Sequence, residues 1–504
     1  MSKYLYGAAV QGIQNFIFQT NRLREIVGAS ALVENICTDL FWNFIKDPDY
    51  DVHSIIHAAG NIKHVFESEE ICRRVVREFP KCVAEYAPGI TLSQAVVQLD
   101  DNMDFGNCAN ELEEKLRAQR NKPMPSTTFS LMAMHRSRSA NMPAIDYLSL
   151  AGKDMEYIDA ATFAKCFHVH NGIRERRNAM SLCKKAFGIH NLSCKQIAFD
   201  TTDITEQNDW IAIIHADGNG LGRIVQKYGH KQDEFKRFSQ DLDKNTKAAA
   251  VSAFEYIKEK YHWKEIIPIR PIVLGGDDFT VICRADLALD YVRSFIEHFE
   301  RNNSKYNLTA CAGIAYVKSS YPFYYGYELA EALCAYAKKD AKSFNQELPA
   351  SCIQMHKVQD SFVEEYKDII KRELEPTSNI NFAFGPYYVS DNPLPGARWT
   401  IAQLIEKANL LDCHEGNAVK SNLRQWLTLL YKGETEKAEQ KLIRMKELYR
   451  DNSNRDNSNM RGLIDEVTKE TKRHGTEGQD VRCYPVYDIL VQHTLNTQTT
   501  KTNE

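Results

Sequence analysis

No apolar run in the 504-residue sequence approaches the roughly 18–20 residues that cross a bilayer, so a membrane-spanning helix is not expected. The opening "MSKYLYGAAVQGIQNF" lacks the charged-then-apolar order of a secretory signal, and a cytoplasmic location follows as the expectation. No Cys-x-x-Cys pair occurs among the 13 scattered cysteines. An odd number without framework spacing implies reduced thiols rather than disulfides. Basic excess is missing too: 63 Lys and Arg stand against 67 Asp and Glu, for a net charge of −4. That argues against a protein that coats nucleic acid, while leaving room for a local basic groove. The densest group of metal-binding residue types, Cys166, His168, His170, Cys183, His190 and Cys194, lacks the tight pairing of structural zinc sites. Zinc there is the weaker of the two readings.

What is present is ordinary for a globular protein: 43% apolar and 26% charged residues, over a length that suggests about three to four domains. One stretch is not ordinary. "IRPIVLGGDDFTVICR" places Asp277 and Asp278 behind Gly275 and Gly276, between two apolar strand-like segments. Two carboxylates about 4 Å apart at an effective dielectric near 20 repel by roughly 4 kcal/mol. Solvent offsets that if the turn is exposed, and Gly-Asp turns are common in hairpins. A divalent cation held by hard oxygen ligands offsets it as well.

The flanking order chooses between these. "WIAIIHADGNGLGRIV" reads as a strand, Trp210 to His215, that breaks at Asp217-Gly218-Asn219-Gly220 and resumes as a helix near Leu221. A long helix, the acidic hairpin, the helix "DLALDYVRSFIEHFERN", the strand "LTACAGIAYVK" and a last helix follow. This is a split-βαβ, ferredoxin-like order. The N-terminus repeats it, from "YLYGAAVQGIQNFIF" through the hairpin "HSIIHAAGNIKHVF" to "ITLSQAVVQL". In that duplication Gly60 and Asn61 fall where the second copy has Asp277 and Asp278, and Gln11 falls near Asp217. The first copy keeps the shape and loses the acids. Between the copies lies a polar, helical connector, and after about residue 385 the chain turns helical. The tandem RDNSN at Arg450–Asn454 and Arg455–Asn459 reads as a flexible loop, and the tail "TLNTQTTKTNE" as disordered.

In a split-βαβ sheet the first strand neighbours the central hairpin, so Asp217 should meet Asp277 and Asp278. Carboxylates gathered in this way can hold two cations for in-line phosphoryl chemistry. Gly218, Asn219, Gly220 and Gly222 form a loop that opens a helix, where free N–H groups and the dipole favour phosphate. Lys338 in the last helix can reach back as a phosphate counter-charge, whereas Lys339 and Lys342 read as a solvated face.

These residues resemble the large polymerase/cyclase subunit of type III CRISPR effector complexes, a relative of GGDEF cyclases and palm-domain polymerases. The matching stretches are "HADGNGLG", "PIRPIVLGGDDFTVIC", "CAGIAYVKSSYPFYYGYELAEALCAYAK" and "GIQNFIFQTNRLREIVGAS". The resemblance implies an α+β chain with two ferredoxin-like palm domains, the first degenerate. Its expected divisions are 1–110 for the first palm, 111–200 for the connector, 201–385 for the catalytic palm and 386–504 for a helical C-terminal domain. It also implies Mg²⁺ (or Mn²⁺), ATP as substrate, cyclic oligoadenylate as product, and Asp217, Asp277 and Asp278 as metal ligands. No His-Asp dipeptide occurs, so the family's nuclease domain is not expected, and the connector lacks paired zinc cysteines. Asn219 stands where many relatives carry another acid. The expected partners are nucleoside triphosphates and RNA-guided effector subunits or a second copy of the chain, with no membrane. Two other readings stay open: a non-catalytic scaffold that binds nucleotide or an RNA complex, and a cyclic dinucleotide synthase using other bases.

Overall fold

The structure is a computed structural model describing residues 3–99, 105–121, 131–150, 154–170, 173–177, 179–205, 209–228, 231–360, 365–390, 398–450, 455–474 and 480–500. Its first sheet contains β1 (Lys3–Gln11), β2 (Ser54–Ala58), β3 (Asn61–Phe66) and β4 (Thr91–Leu99), in the order β2-β3-β1-β4. Helices α1 (Ile13–Phe18), α2 (Leu23–Asn35) and α3 (Glu69–Tyr86) complete a split-βαβ unit, and α4 (Phe105–Arg120) covers the opposite face through Leu112 and Leu116. α2 continues through one π turn, Ile36–Leu40, into the helix Phe41–Ile45.

The second unit repeats the path with β5 (Trp210–Asn219), α5 (Leu221–Tyr228), α6 (Gln232–Lys260), β6 (Ile269–Gly275), β7 (Asp278–Arg284), α7 (Ala288–Asn302) and β8 (Thr309–Lys318). It adds α8 (Phe323–Phe344) and two further strands, β9 (Cys352–Lys357) and β10 (Tyr387–Tyr388). Its sheet order is β6-β7-β5-β8-β9-β10, so the first four strands follow the topology of the first sheet. The α+β architecture with two ferredoxin-like units is as the sequence suggested.

Register refines the duplication. Asp278 lies opposite Asp217, whereas Asn61 lies opposite Ala9. The counterpart of Asp217 is therefore Ala9, and Gln11 corresponds to Asn219, two residues further on. A two-residue offset keeps the same face of a strand, which is why the repeat still aligned by eye.

Strand β5 is buried on both faces, with Ile211, Ala212, Ile213 and Ile214 at most 1% exposed. Its period of two sends Ala212, Ile214 and Ala216 to one side and Ile213, His215 and Asp217 to the other. Helix α8 covers the second side, and Gly313 on β8 lets it press close: a Cβ there would lie 2.0 Å from the Ala330 carbonyl oxygen.

The connector, expected to be helical, carries two β-hairpins (Ala144–Leu148 with Glu156–Asp159, Phe167–His170 with Ile173–Arg176) beside its helices, of which Met180–Phe187 stacks Phe187 on Phe254 of α6 with ring centroids 4.3 Å apart. The C-terminal part holds the helices Ile401–Asn409, His414–Tyr431, Thr435–Leu448, Arg455–Val467 and Val486–Thr500 with a small three-stranded sheet. Two expectations are corrected here. The second RDNSN copy forms the start of Arg455–Val467, while 451–454 lie outside the described residues. The tail is helical to Thr500, because Leu495 is fully buried and His493 Nε2 reaches the Leu411 carbonyl at 3.0 Å. Residues 501–504 lie outside the described residues. No helix among the described residues is long and apolar enough to cross a membrane.

Candidate active site

The expected break at Asp217 does not occur. β5 runs on to Asn219, so Asp217 sits inside the ladder, directly opposite Asp278 on one side and Cys311 on the other. Asp278 is the first residue of β7, and the turn consists of Gly276 and Asp277, with Gly276 at φ 62°. Gly218 makes room for this turn. A Cβ there would lie 3.0 Å from the Asp277 Cβ and 2.6 Å from Leu221 Cδ1, so a larger residue would push the acid away. On the outer side, a Cβ on Gly275 would lie 3.7 Å from Ala59 of the first unit's hairpin.

Electrostatics follow from the crowding. Burial, a hydrogen bond with Asp217 and repulsion from Asp217 and Asp278 push Asp277 up to about 7. Asp278 is pushed up to about 7 by desolvation and then by the facing Asp217 and Glu331. Its side chain keeps 40% of its surface exposed, so water screens part of this, and the direction rests chiefly on the facing carboxylates. Lys338 reaches back from α8 as expected, ion-pairing with Asp217 Oδ2 and donating to the Gly218 carbonyl at 3.0 Å. The three acids do not draw together into a set with all ligand atoms within 4.8 Å.

Of the other expected residues, Gly220 has φ 78° just before α5, and Gly222 faces open space. The Asn219 side chain is turned into the core, donating from Nδ2 to Thr309 Oγ1 at 3.1 Å and Cys311 Sγ at 3.3 Å. Any contact of Asn219 with phosphate is therefore through its backbone, a correction to its expected place in the loop.

Several residues at this edge were missed in the sequence. His215 Nδ1 lies 3.2 Å from Thr280 Oγ1 and 3.5 Å from Asp278 Oδ1, and burial lowers its pKa. Glu331 and Tyr327 of α8 both accept from Gln14 Nε2 of the first unit, at 3.2 Å each. Phe18 of α1 packs on Tyr327 with centroids 4.0 Å apart. A cavity of about 460 Å³ opens beside this contact, lined by Asn15, Phe18, Gln19, Asn21, Pro322, Tyr324 and Tyr325. The period of two did mark His215 as sharing a face with Asp217. Nothing local marked Gln14.

The zinc reading of the connector is not supported. Cys183 is buried and accepts from Arg270 Nη1 at 3.1 Å, His168 pairs with Glu175 at 3.1 Å, and Cys194 is exposed beside Met180. Among the described residues, no three of that group converge.

Residues 210–346 match the family model of the Cas10/Cmr2 second palm domain, the stretch that carries all three acids and Lys338. That segment is similar to a Cas10/Cmr2 second palm domain. No curated protein matches the chain in sequence. Among solved structures it is similar to the crystal structure of the Csm1-Csm4 cassette in complex with pppApA, at 12% identity and a TM-score of 0.56. The cassette in complex with AMPPNP gives the same identity and TM-score. Each match covers 98% of this chain and 69% of the other. The cassette in complex with cA3 is 14% identical with a TM-score of 0.52, over 98% of this chain and 69% of that one. At such identities the likeness is one of fold, and it takes in both palms.

Proposed function

We propose that the chain is a metal-dependent nucleotidyltransferase that converts ATP into a cyclic oligoadenylate-type messenger, within a CRISPR-like antiviral defence system. The observation that carries this is the placement of Asp217 opposite Asp278, with Asp277 in hydrogen-bonding reach, at one edge of the second palm. An acidic edge pushed up toward neutrality is costly to keep unless it meets positive charge. The donor set fits a hard divalent ion: it is all carboxylate oxygen, and the Lys338 ammonium already supplies a cation to Asp217. Asp217, Asp277 and Asp278 would hold Mg²⁺ or Mn²⁺. When bound, such an ion supplies neutralisation of polyphosphate charge and activation of a 3′-hydroxyl.

The chain's own residues do the rest. Lys338, released from Asp217, meets the phosphates as a counter-charge. The N–H groups that open α5 after Gly220 bind phosphate oxygens, with Gly218, Gly222, Gly275 and Gly276 keeping side chains out of the way. His215, neutral through burial, holds Asp278 and Thr280 in place. Gln14 and Phe18 bring the first palm to α8, so that a second nucleotide is enclosed between the two palms. The similar structures support this reading, since the Csm1-Csm4 cassettes are in complex with AMPPNP, one ATP, cA3 and cA4. They also support an effector-complex partner for this chain. The proposed divisions are 1–110, 111–200, 201–385 and 386–504, with α4 (Phe105–Arg120) packing on the first palm and β10 (Tyr387–Tyr388) pairing in the second palm's sheet across two of these boundaries.

The test is product chromatography after incubation with each nucleoside triphosphate and Mg²⁺. ATP alone should yield cyclic oligomers. A different base with a two-nucleotide product would favour the dinucleotide synthase, and tight nucleotide binding without turnover would favour the scaffold.

A further inference from the structure

The first palm, silent at its acidic edge, carries a different set of metal-binding side chains. Asp47 follows Lys46, the left-handed residue that ends the helix Phe41–Ile45. His53 closes the short helix Tyr50–His53, and His64 lies within β3 opposite Tyr6. The fold brings all three together. His53 Nδ1 stands 2.6 Å and His64 Nε2 3.2 Å from the same oxygen, Asp47 Oδ2. Among the described residues this is the one group of three whose ligand atoms all lie within 4.8 Å of one another. Glu67 Oε1, paired with Lys3 Nζ at 2.9 Å, lies 3.9 Å from the other ring nitrogen of His53.

Hydrogen bonding alone accounts poorly for this cluster. Both imidazoles would have to donate to one carboxylate oxygen, leaving His64, 0% exposed and with an unpartnered Nδ1, holding a bare acceptor in the core. A cation between the rings would be held by His64 through Nε2, the nitrogen that faces Asp47 Oδ2. Two imidazole nitrogens and one carboxylate oxygen suit zinc-class ions, whereas Mg²⁺ prefers oxygen and water.

We infer that Asp47, His53 and His64 bind a zinc-class divalent cation, with water completing the coordination. The ion fastens the segment 46–53 to β3. The same segment receives the second palm: Lys236 of α6 donates to the Asp51 carbonyl, and to the Val52 carbonyl at 3.1 Å. The ion would thereby stiffen the seam between the palms, away from the acidic edge.

The test uses full-length protein stripped of metal, then titrated with Zn²⁺ or Co²⁺. Because the acidic edge of the second palm could also take up ions, the Asp277→Ala/Asp278→Ala protein is titrated in parallel. We expect one equivalent in the Asp277→Ala/Asp278→Ala protein and at least one in the parent, with a visible d–d spectrum with Co²⁺ and a rise in Tm with Zn²⁺ in both. His53→Ala and Asp47→Asn should each weaken binding at least about tenfold and abolish the rise in Tm. Both side chains are partly exposed, unlike that of His64, so these variants keep the core intact. Absence of the Co²⁺ spectrum and of the Zn²⁺-dependent rise in the parent protein would overturn the site. So would binding that His53→Ala and Asp47→Asn leave unchanged.

Discussion

Asp278 opens its strand directly across the ladder from Asp217, so two like charges occupy a position where cross-strand partners usually attract. Asp277, in the turn just ahead, is raised by burial and by the same Asp217. The fold tolerates this because Lys338 pairs with Asp217 and because protonation relieves part of the repulsion.

Removing the acids should therefore cost activity and not stability. Asp277→Ala with Asp278→Ala is expected to lower product formation at least about 100-fold, the scale on which charge-stabilising groups count. The Tm of the metal-free protein should stay level or rise. Melts and product chromatography on the pair of proteins check both halves, and full activity in the double variant would remove the acids from the mechanism.

Lys338→Met separates two roles of one ammonium. If the residue neutralises phosphate, KM for ATP should rise about tenfold, a change of about 1.4 kcal/mol. The Mg²⁺ requirement should fall at the same time, because Asp217 loses its competing partner. Steady-state kinetics over a Mg²⁺ series reads both, and an unchanged KM would leave Lys338 as a guard of Asp217 only.

The pH dependence has a definite sign. Asp277 and Asp278 lie near 7 in the folded chain and near 4 when unfolded. Between those values the folded state binds more protons, so their stabilising contribution is complete below about pH 4 and is lost as pH rises to about 7. The buried histidines oppose this: His57 near 3 and His64 near 4 add stability as pH rises through 4 to 6.5. Comparing melts of wild type with Asp277→Asn/Asp278→Asn isolates the acid contribution. Saturating Mg²⁺ should move the acid limb of activity to lower pH, since the cation competes with protons. That limb reports the coupled cluster rather than one aspartate.

Acids restored to the first palm should not awaken it. Gly60→Asp with Asn61→Asp still leaves Ala9 where the third ligand belongs. Gly60 also has φ 78°, and a Cβ there would meet Ile13 Cδ1 at 2.4 Å. The double variant should lose about 1–3 kcal/mol of stability to that strained backbone position. Placed in the Asp277→Ala/Asp278→Ala protein, it should restore no product.

The duplicated split-βαβ order, and the confinement of acids to its second copy, were legible in the sequence because they are written locally. Apolar alternation with a period of two marks strands, and Gly-Gly-Asp-Asp marks the turn wherever it occurs. The helical tail was not legible, because one buried leucine, Leu495, outweighs a run of polar residues only once there is a surface to receive it. Register was equally hidden: a strand does not state which residue faces its partner, so Ala9 rather than Gln11 had to be read from the ladder. Tertiary structure alone placed Lys338 on Asp217, Gln14 on Glu331, and His53 beside His64. These groups are distant in sequence or separated by a turn. They meet only because helices and loops pack onto the sheets at particular heights, a consequence of side-chain volume across the whole core and of no single stretch of chain.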